Sequence, residues 1–167
     1  MVLNNEYISN KIVSQFGSKI LNIEIQYGLL SITMDKDSNI DIVRWLANDK
    51  ELQFTFLTDL TGIHYPQQIG QELGVIYHLH SFKNNIRLRL KLFVNIEMPI
   101  VQSMTAVFGS ANWMERETYD FYGILFEGHT NLKRILNMDE MDYFPMLKQY
   151  PLEDQQRVDK DDKFFGR

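Results

Sequence analysis

Residues 73–94 read LGVIYHLHSFKNNIRLRLKLFV, and they decide the fold class. From Ile86 the apolar positions Leu88, Leu90, Leu92 and Val94 recur every second residue, while Arg87, Arg89 and Lys91 fall between them. Successive side chains of a strand point to opposite faces, so this segment is a strand with one buried face and one charged face. Asn84 and Asn85 tolerate left-handed backbone and suit a hairpin turn, which makes LGVIYHLHSF the strand before it.

Working outward, QFTFLTDLTG at 53–62 reads as a third strand upstream. Before it, Ser38 with Asp41 opens a short helix through Ile40, Val43, Trp45 and Leu46. Leu21, Ile23, Ile25 and Tyr27 alternate with polar residues as a half-buried strand, and LLSITM follows Gly28 as its hairpin partner. A first helix begins at Asn4 or Asn5, carries Ile8, Ile12, Val13 and Phe16, and stops at Gly17. Downstream, Pro99 breaks the chain, and Ser103 and Ser110 are caps for two helical pieces, the second ending at Gly123. The order is α-β-β-α-β-β-β-α. Hairpin-joined strands with helices on one face make the fold α+β, with a mixed or antiparallel sheet of about five strands.

The globular α+β part is expected to span 1–122 and an extended C-terminal docking arm 123–167, both within one single-domain subunit. In the arm, Asn131 to Leu136 is the one segment read as a short helix. The rest, 137–167, has many charges, two prolines and no clear period, so it is either disordered or packs on something else.

The 167 residues suffice for one core-bearing domain and are short for two. With 44% hydrophobic and 23% charged residues, the composition is that of a globular protein. A net charge of -5 disfavours wholesale nucleic-acid binding, though not a local basic patch. No cysteine is present, which removes disulfides, a thiol nucleophile and cysteine-ligated clusters. The N-terminus lacks the pattern of a signal peptide, and no apolar run approaches the roughly 18 residues of a spanning helix.

The densest chemistry lies in NWMERETYDFYGILFEGHTNLKRIL, residues 112–136. Glu115, Glu117 and Asp120 could be a carboxylate set for acid–base work, but no nucleophile elbow or glycine-rich loop accompanies them. Arg116 and Asp120, four apart on a helix, are expected to pair, and Glu117 lies over Trp113 on a flank. A structural or interface network is therefore the better reading. His78 and His80 share a strand face and could share a metal, yet no third ligand lies nearby, so ordinary hydrogen bonds are expected. His129 in its Gly-His turn is expected to anchor on a neighbouring backbone. Only Phe93 joins the Arg87, Arg89, Lys91 stripe, which argues against a sheet-based RNA binder. Tyr119, Tyr122, Phe126, Tyr143, Phe144, Tyr150, Phe164 and Phe165 crowd the last third. Aromatics beside arginines are the composition of interface hot spots, so the chain reads as an interaction subunit.

The same stretch resembles the C subunit of the proton-pumping NADH–quinone oxidoreductase, respiratory complex I. The family pattern falls on Glu115, Arg116, Glu117, Asp120, Phe121, Tyr122, Gly123, Ile124, Phe126, Gly128, His129, Arg134, Ile135 and Leu136. DLTGIHYP, VIYHLHS and SMTAVFGSANW resemble its upstream segments, and the likeness covers roughly 54–152. It departs at His64, where the family usually has Asp, and at Thr130, where it has Pro. YFPMLKQYPL keeps Pro145, Lys148, Tyr150, Pro151 and Leu152 of the downstream pattern. The resemblance implies a scaffolding subunit of the hydrophilic arm, on the cytoplasmic face of a bacterial inner membrane. It implies a place against the D subunit, which with the B subunit shapes the quinone site. It implies no flavin or iron–sulfur cluster in this chain, with FMN, iron–sulfur clusters and quinone on partner subunits. The missing cysteines and isolated histidines are the ground for expecting no bound metal. Related subunits serve membrane-bound hydrogenases and complexes fed by other donors. The residues expected at the partner interface are Trp113, Glu115, Arg116, Glu117, Asp120, Gly123, Phe126, Gly128, His129, Arg134, Pro145, Lys148, Tyr150 and Pro151.

Overall fold

A computed structural model describes residues 3–151. Helix α1 (Asn5–Phe16) starts where the Asn4 side chain accepts the Tyr7 N–H and ends at Gly17. Its Ile8 and Ile12 are buried, while Val13 turns to solvent. Strands β1 (Ile20–Gln26) and β2 (Leu29–Met34) form a hairpin whose turn residues Tyr27 and Gly28 have φ of 54° and 80°. Then come α2 (Asn39–Asn48), β3 (Phe56–His64), β4 (Leu73–Ser81) and β5 (Ile86–Val94). Two short strands, β6 (Ile100–Gln102) and β7 (Leu125–Glu127), flank α3 (Ala111–Tyr122). The fold is α+β, as the alternation in 73–94 implies.

The five long strands lie in the order β1-β2-β5-β4-β3. Only β2 and β5 run parallel; the other neighbours are antiparallel, so the sheet is mixed. Registers Ile32↔Leu90 and Tyr77↔Leu90 bring the apolar rows onto one face. Leu88, Leu90 and Leu92 are fully buried there with Ile42 and Leu46 of α2 and Ile8 and Ile12 of α1. Burying each such side chain is worth about 1.5–3 kcal/mol, so this face supplies most of the driving force. Helix α3 covers the β3 side, where the Tyr122 ring lies against Gly62 so closely that a Cβ would sit 2.4 Å from it.

Three segments differ from the sequence reading. Leu21, Ile23 and Ile25 are exposed rather than half-buried, because β1 is an edge strand with a neighbour on one side only. Asn131 to Leu136 is not a helix; it is an irregular strap across α3. The chain after Gly123 instead enters the core: Ile124 and Phe126 are buried, and β7 pairs in parallel with β6. The arm as far as Pro151 packs along α3 and the end of β3, while Leu152, Phe164 and Phe165 lie outside the described residues.

Candidate functional site

The 112–136 motif folds into a clasp between α3 and the arm. Asp120 is fully buried at the last turn of α3. One carboxylate oxygen accepts Arg134 Nη1 at 2.7 Å. The other accepts the N–H groups of Ile135, Leu136 and Asn137 at 3.0, 2.8 and 2.9 Å. Burial alone would raise its pKa, but the Asn137, Leu136 and Ile135 amides with the Arg134 guanidinium outweigh it and hold the carboxyl well below the usual range. The three captured amides explain why 131–136 is no helix. Their N–H groups go to a carboxylate rather than to carbonyls one turn back.

Arg134 continues the clasp. Its Nη1 also donates to the Asp120 carbonyl, and Nη2 donates to the Met141 and Tyr143 carbonyls at 2.6 and 3.0 Å. The guanidinium lies over the Phe144 ring, 5.1 Å from its centroid. Phe144 in turn covers Gly123, the left-handed residue that ends α3, where a Cβ would stand 2.6 Å from the ring.

The expected pairing of Arg116 with Asp120 is not made. Arg116 Nε and Nη2 donate to the carbonyls of Lys133 and Arg134 at 3.1 and 2.8 Å, and its guanidinium lies 5.3 Å from the Trp113 ring centroid. The basic residue of the arm has taken the carboxylate, and the arm's carbonyls have taken the arginine of the helix. A buried multidentate arrangement outcompetes an i,i+4 helix pair, worth only about 0.3–0.5 kcal/mol.

Glu115 does separate work. It is fully buried and accepts the Ser103 hydroxyl and the Met104 N–H, tying α3 to the turn at 104–106. With no cation bound to it, burial pushes its pKa up to about 7. His129 anchors the other end of the strap, as its turn suggests. Its Nδ1 accepts the Asn131 N–H at 3.0 Å, which leaves the proton on Nε2 to donate to the Asn112 carbonyl at 3.1 Å.

The remaining motif residues divide between packing and surface. Phe126 is in the core and Gly128 holds a left-handed turn with φ of 86°. Pro145 is half-buried. Lys148 gives its backbone N–H to His64 Nδ1 at 2.9 Å, and the Tyr150 ring lies tilted by 42° against Tyr143 with centroids 4.8 Å apart. Trp113 and Glu117 share an exposed flank of α3, and Pro151 is exposed. Leu125, Leu136, Met138, Tyr143, Met146 and Tyr150 are exposed large apolar side chains in the same part of the chain. The motif therefore builds a rigid strap with an apolar outer surface. The buried carboxylates Glu115 and Asp120 accept internal donors, while Glu117 faces solvent.

Sequence reasoning missed Ser103 as the partner of Glu115, His64 as an anchor of the arm and Phe144 as the cover of Gly123. Ser103 was legible as a cap; the other two contacts carry no local signal. On the sheet's outer face, Arg89 donates to His78 Nε2 at 3.0 Å and Lys91 pairs with Glu24. Phe93 is not the only aromatic there. Phe56 and Phe82 cluster with His80, with ring centroids 5.1 Å apart in the Phe–Phe pair and 4.8 Å in the His–Phe pair. Among the described residues, no group of three or more metal-ligating side chains comes together.

Residues 32–156 match the family described as respiratory-chain NADH dehydrogenase, 30 Kd subunit. Of the two NADH-quinone oxidoreductase C subunits of Rhizobium meliloti (strain 1021), the one designated C 2 is 37% identical over 142 residues, covering 84% of this chain and 76% of that one. The C subunit of Mesorhizobium japonicum is 39% identical, covering 80% and 66%; that of a Nocardioides species is 37% identical, covering 78% and 52%. This chain thus spans between half and three quarters of these relatives. Among solved structures, the trypsin-resistant fragment (1-134) of Nqo5 superposes with a TM-score of 0.62 at 28% identity, over 76% of this chain and 98% of that one. The archaeal membrane-bound sulfane sulfur reductase complex contains a chain with a TM-score of 0.72 over 88% of this one and 85% of its own, but at 18% identity it speaks for the fold alone.

Proposed function

The chain belongs to the 30 kDa subunit family of respiratory-chain NADH dehydrogenase, and from that membership we propose that it is a scaffolding subunit of the hydrophilic arm of an NADH–quinone oxidoreductase. In this reading it binds the quinone-site D subunit through the strap and the exposed flank of α3, at the cytoplasmic face of the inner membrane. FMN, iron–sulfur clusters and quinone reside on partner subunits, and this chain contributes surface rather than redox chemistry. No helix of the described residues is long and apolar enough to cross a membrane, which agrees with a peripheral position.

One observation carries the proposal. The motif spends Asp120, Arg134, Arg116 and His129 on fixing the strap, and the strap turns Leu136, Met138 and Met146 outward at 64%, 68% and 50% exposure. Exposed apolar side chains held on rigid backbone bind with little loss of conformational entropy, which is what a docking surface requires. A catalytic constellation would instead keep a titratable group free to meet a substrate.

The test is the double substitution Leu136→Glu, Met138→Glu, both at exposed positions where the isolated fold should tolerate charge. The chain should remain folded by circular dichroism yet fail to enter the complex on native gels. The few complexes that form should turn over NADH and quinone normally per assembled unit. Full assembly with abolished turnover would assign this surface to chemistry and overturn the reading.

A further inference from the structure

His64 closes β3 and is 5% exposed. Its Nδ1 accepts the N–H of Lys148, 84 residues further along, at 2.9 Å. An accepting Nδ1 requires the neutral ring with its proton on Nε2. The turn it holds is compact. Leu147 and Tyr150 donate their N–H groups to the carbonyls of Phe144 and Leu147, and the Leu147 side chain is buried. Besides the buried Leu147 side chain, two hydrogen bonds tie this turn to the body: the Met146 N–H on the Phe121 carbonyl at 3.1 Å, and the Lys148 N–H on His64. The contacts of the Asp120 carboxylate persist throughout the neutral range, because its donors hold its pKa well below that range. The His64 contact does not, because a second proton on the ring converts its acceptor into a donor facing another donor.

We infer that His64 is a proton-sensitive latch: the neutral imidazole holds residues 146–150 against β3, and its protonation releases them. The inference deepens the docking role proposed above and rests on it, since the latched turn carries Met146 and Tyr150 of the exposed apolar surface. The charged and titratable groups around the ring support the assignment. From the arm, the Lys148 ammonium opposes a second positive charge. From the β3–β4 loop, Glu72 favours protonation, but its carboxylate is already committed to the N–H groups of Gly70 and Ile96 at 2.7 and 3.2 Å. From α3, Tyr122 lies over Gly62, two residues before His64, and burial raises its hydroxyl pKa so that it stays neutral. Burial first, and Lys148 second, push the His64 imidazole below its ordinary range, with Glu72 pulling the other way.

The direction with pH follows from that lowering. A histidine whose folded pKa is depressed binds its proton more readily when released, so the latch is fully closed above the free value of about 6.5. It weakens as pH falls from there through the lower, latched value.

The experiment is amide NMR of the full chain between pH 7.5 and 5.0, which needs no partner and so stands apart from the assembly reading. In the unsubstituted chain, the Lys148 amide should shift and the heteronuclear NOE of 146–150 should fall in one transition centred below pH 6.5. That transition should follow the His64 ring signals, with α1 amides unchanged. His64→Asn keeps an acceptor that does not titrate, so its turn should stay ordered at both ends of the range. His64→Phe fills the space without an acceptor and should leave the turn released at every pH; if it does not fold, the Asn comparison decides alone. A turn that stays ordered while His64 titrates overturns the latch. So does an Asn variant that loses the turn at the same pH.

Discussion

Two carboxylates on one helix respond to burial in opposite ways, and the difference lies in their donors. Asp120 has four donors, one of them a guanidinium; Glu115 has a hydroxyl and one amide. Asp120→Asn removes the charge that neutralises the buried Arg134 and turns one acceptor into a donor. It should destabilise the chain by about 3–5 kcal/mol in urea titrations. Because the folded pKa of Asp120 is depressed, its contribution is complete above the unfolded value of about 3.9 and fades as pH falls below it. The Asn variant should therefore show a flatter acid limb. Glu115 carries the opposite sign. Its folded pKa, near 7, lies above the unfolded value of about 4.3, so stability declines as pH rises between the two. Glu115→Gln removes that decline, and should gain on the unsubstituted chain by on the order of 1–3 kcal/mol between pH 5 and 8. Paired thermal or urea curves at those two pH values measure it.

At the scale of elements, the junction of α3 with the strap turns on one glycine. Gly123 adopts φ of 78° and lies directly beneath Phe144. An alanine there costs about 1–2 kcal/mol for the left-handed backbone alone, and its Cβ also displaces the ring. Gly128 is a built-in comparison, with φ of 86° and open space around it. Gly123→Ala should cost more than Gly128→Ala, and only Gly123→Ala should make 137–151 sensitive to brief proteolysis. Equal costs and equal cleavage would show that Phe144 does not hold the strap. The same junction marks where the sequence stops being legible. The strands from Ile20 to Val94 reveal themselves because alternation and hairpin turns are local. β6 and β7 are three residues each, too short for a period, and their pairing of Ile100 with Leu125 crosses a whole helix. Residues 131–136 read as a helix because nothing nearby in sequence announces that Asp120 will take their amides. Likewise the motif marks Arg116, Asp120 and Arg134 as a group. Helical spacing suggests Arg116 as the partner of Asp120, and only the path of the strap shows that Arg134 fills that place.

Across the whole molecule, the arm completes the core as well as presenting a surface. A boundary at residue 122 would separate Asp120 from each of its donors on 134–137 and withdraw Ile124, Phe126 and Leu147 from the interior. It would also leave β6 without β7. Each lost apolar side chain is worth about 1.5–3 kcal/mol of burial, and an unpartnered buried carboxylate adds several more. Their sum rivals the roughly 5–15 kcal/mol by which a domain of this size is stable. A chain cut after Tyr122 should accordingly show no cooperative thermal transition and should bind a hydrophobic dye, whereas the full chain melts in one step. Supplying residues 123–151 as a separate peptide should restore the transition in proportion to peptide concentration, since the strap then acts as a ligand of the folded state. A truncated chain that melts cooperatively at the full-length midpoint would mean that 1–122 is an independent unit and the arm an accessory to it.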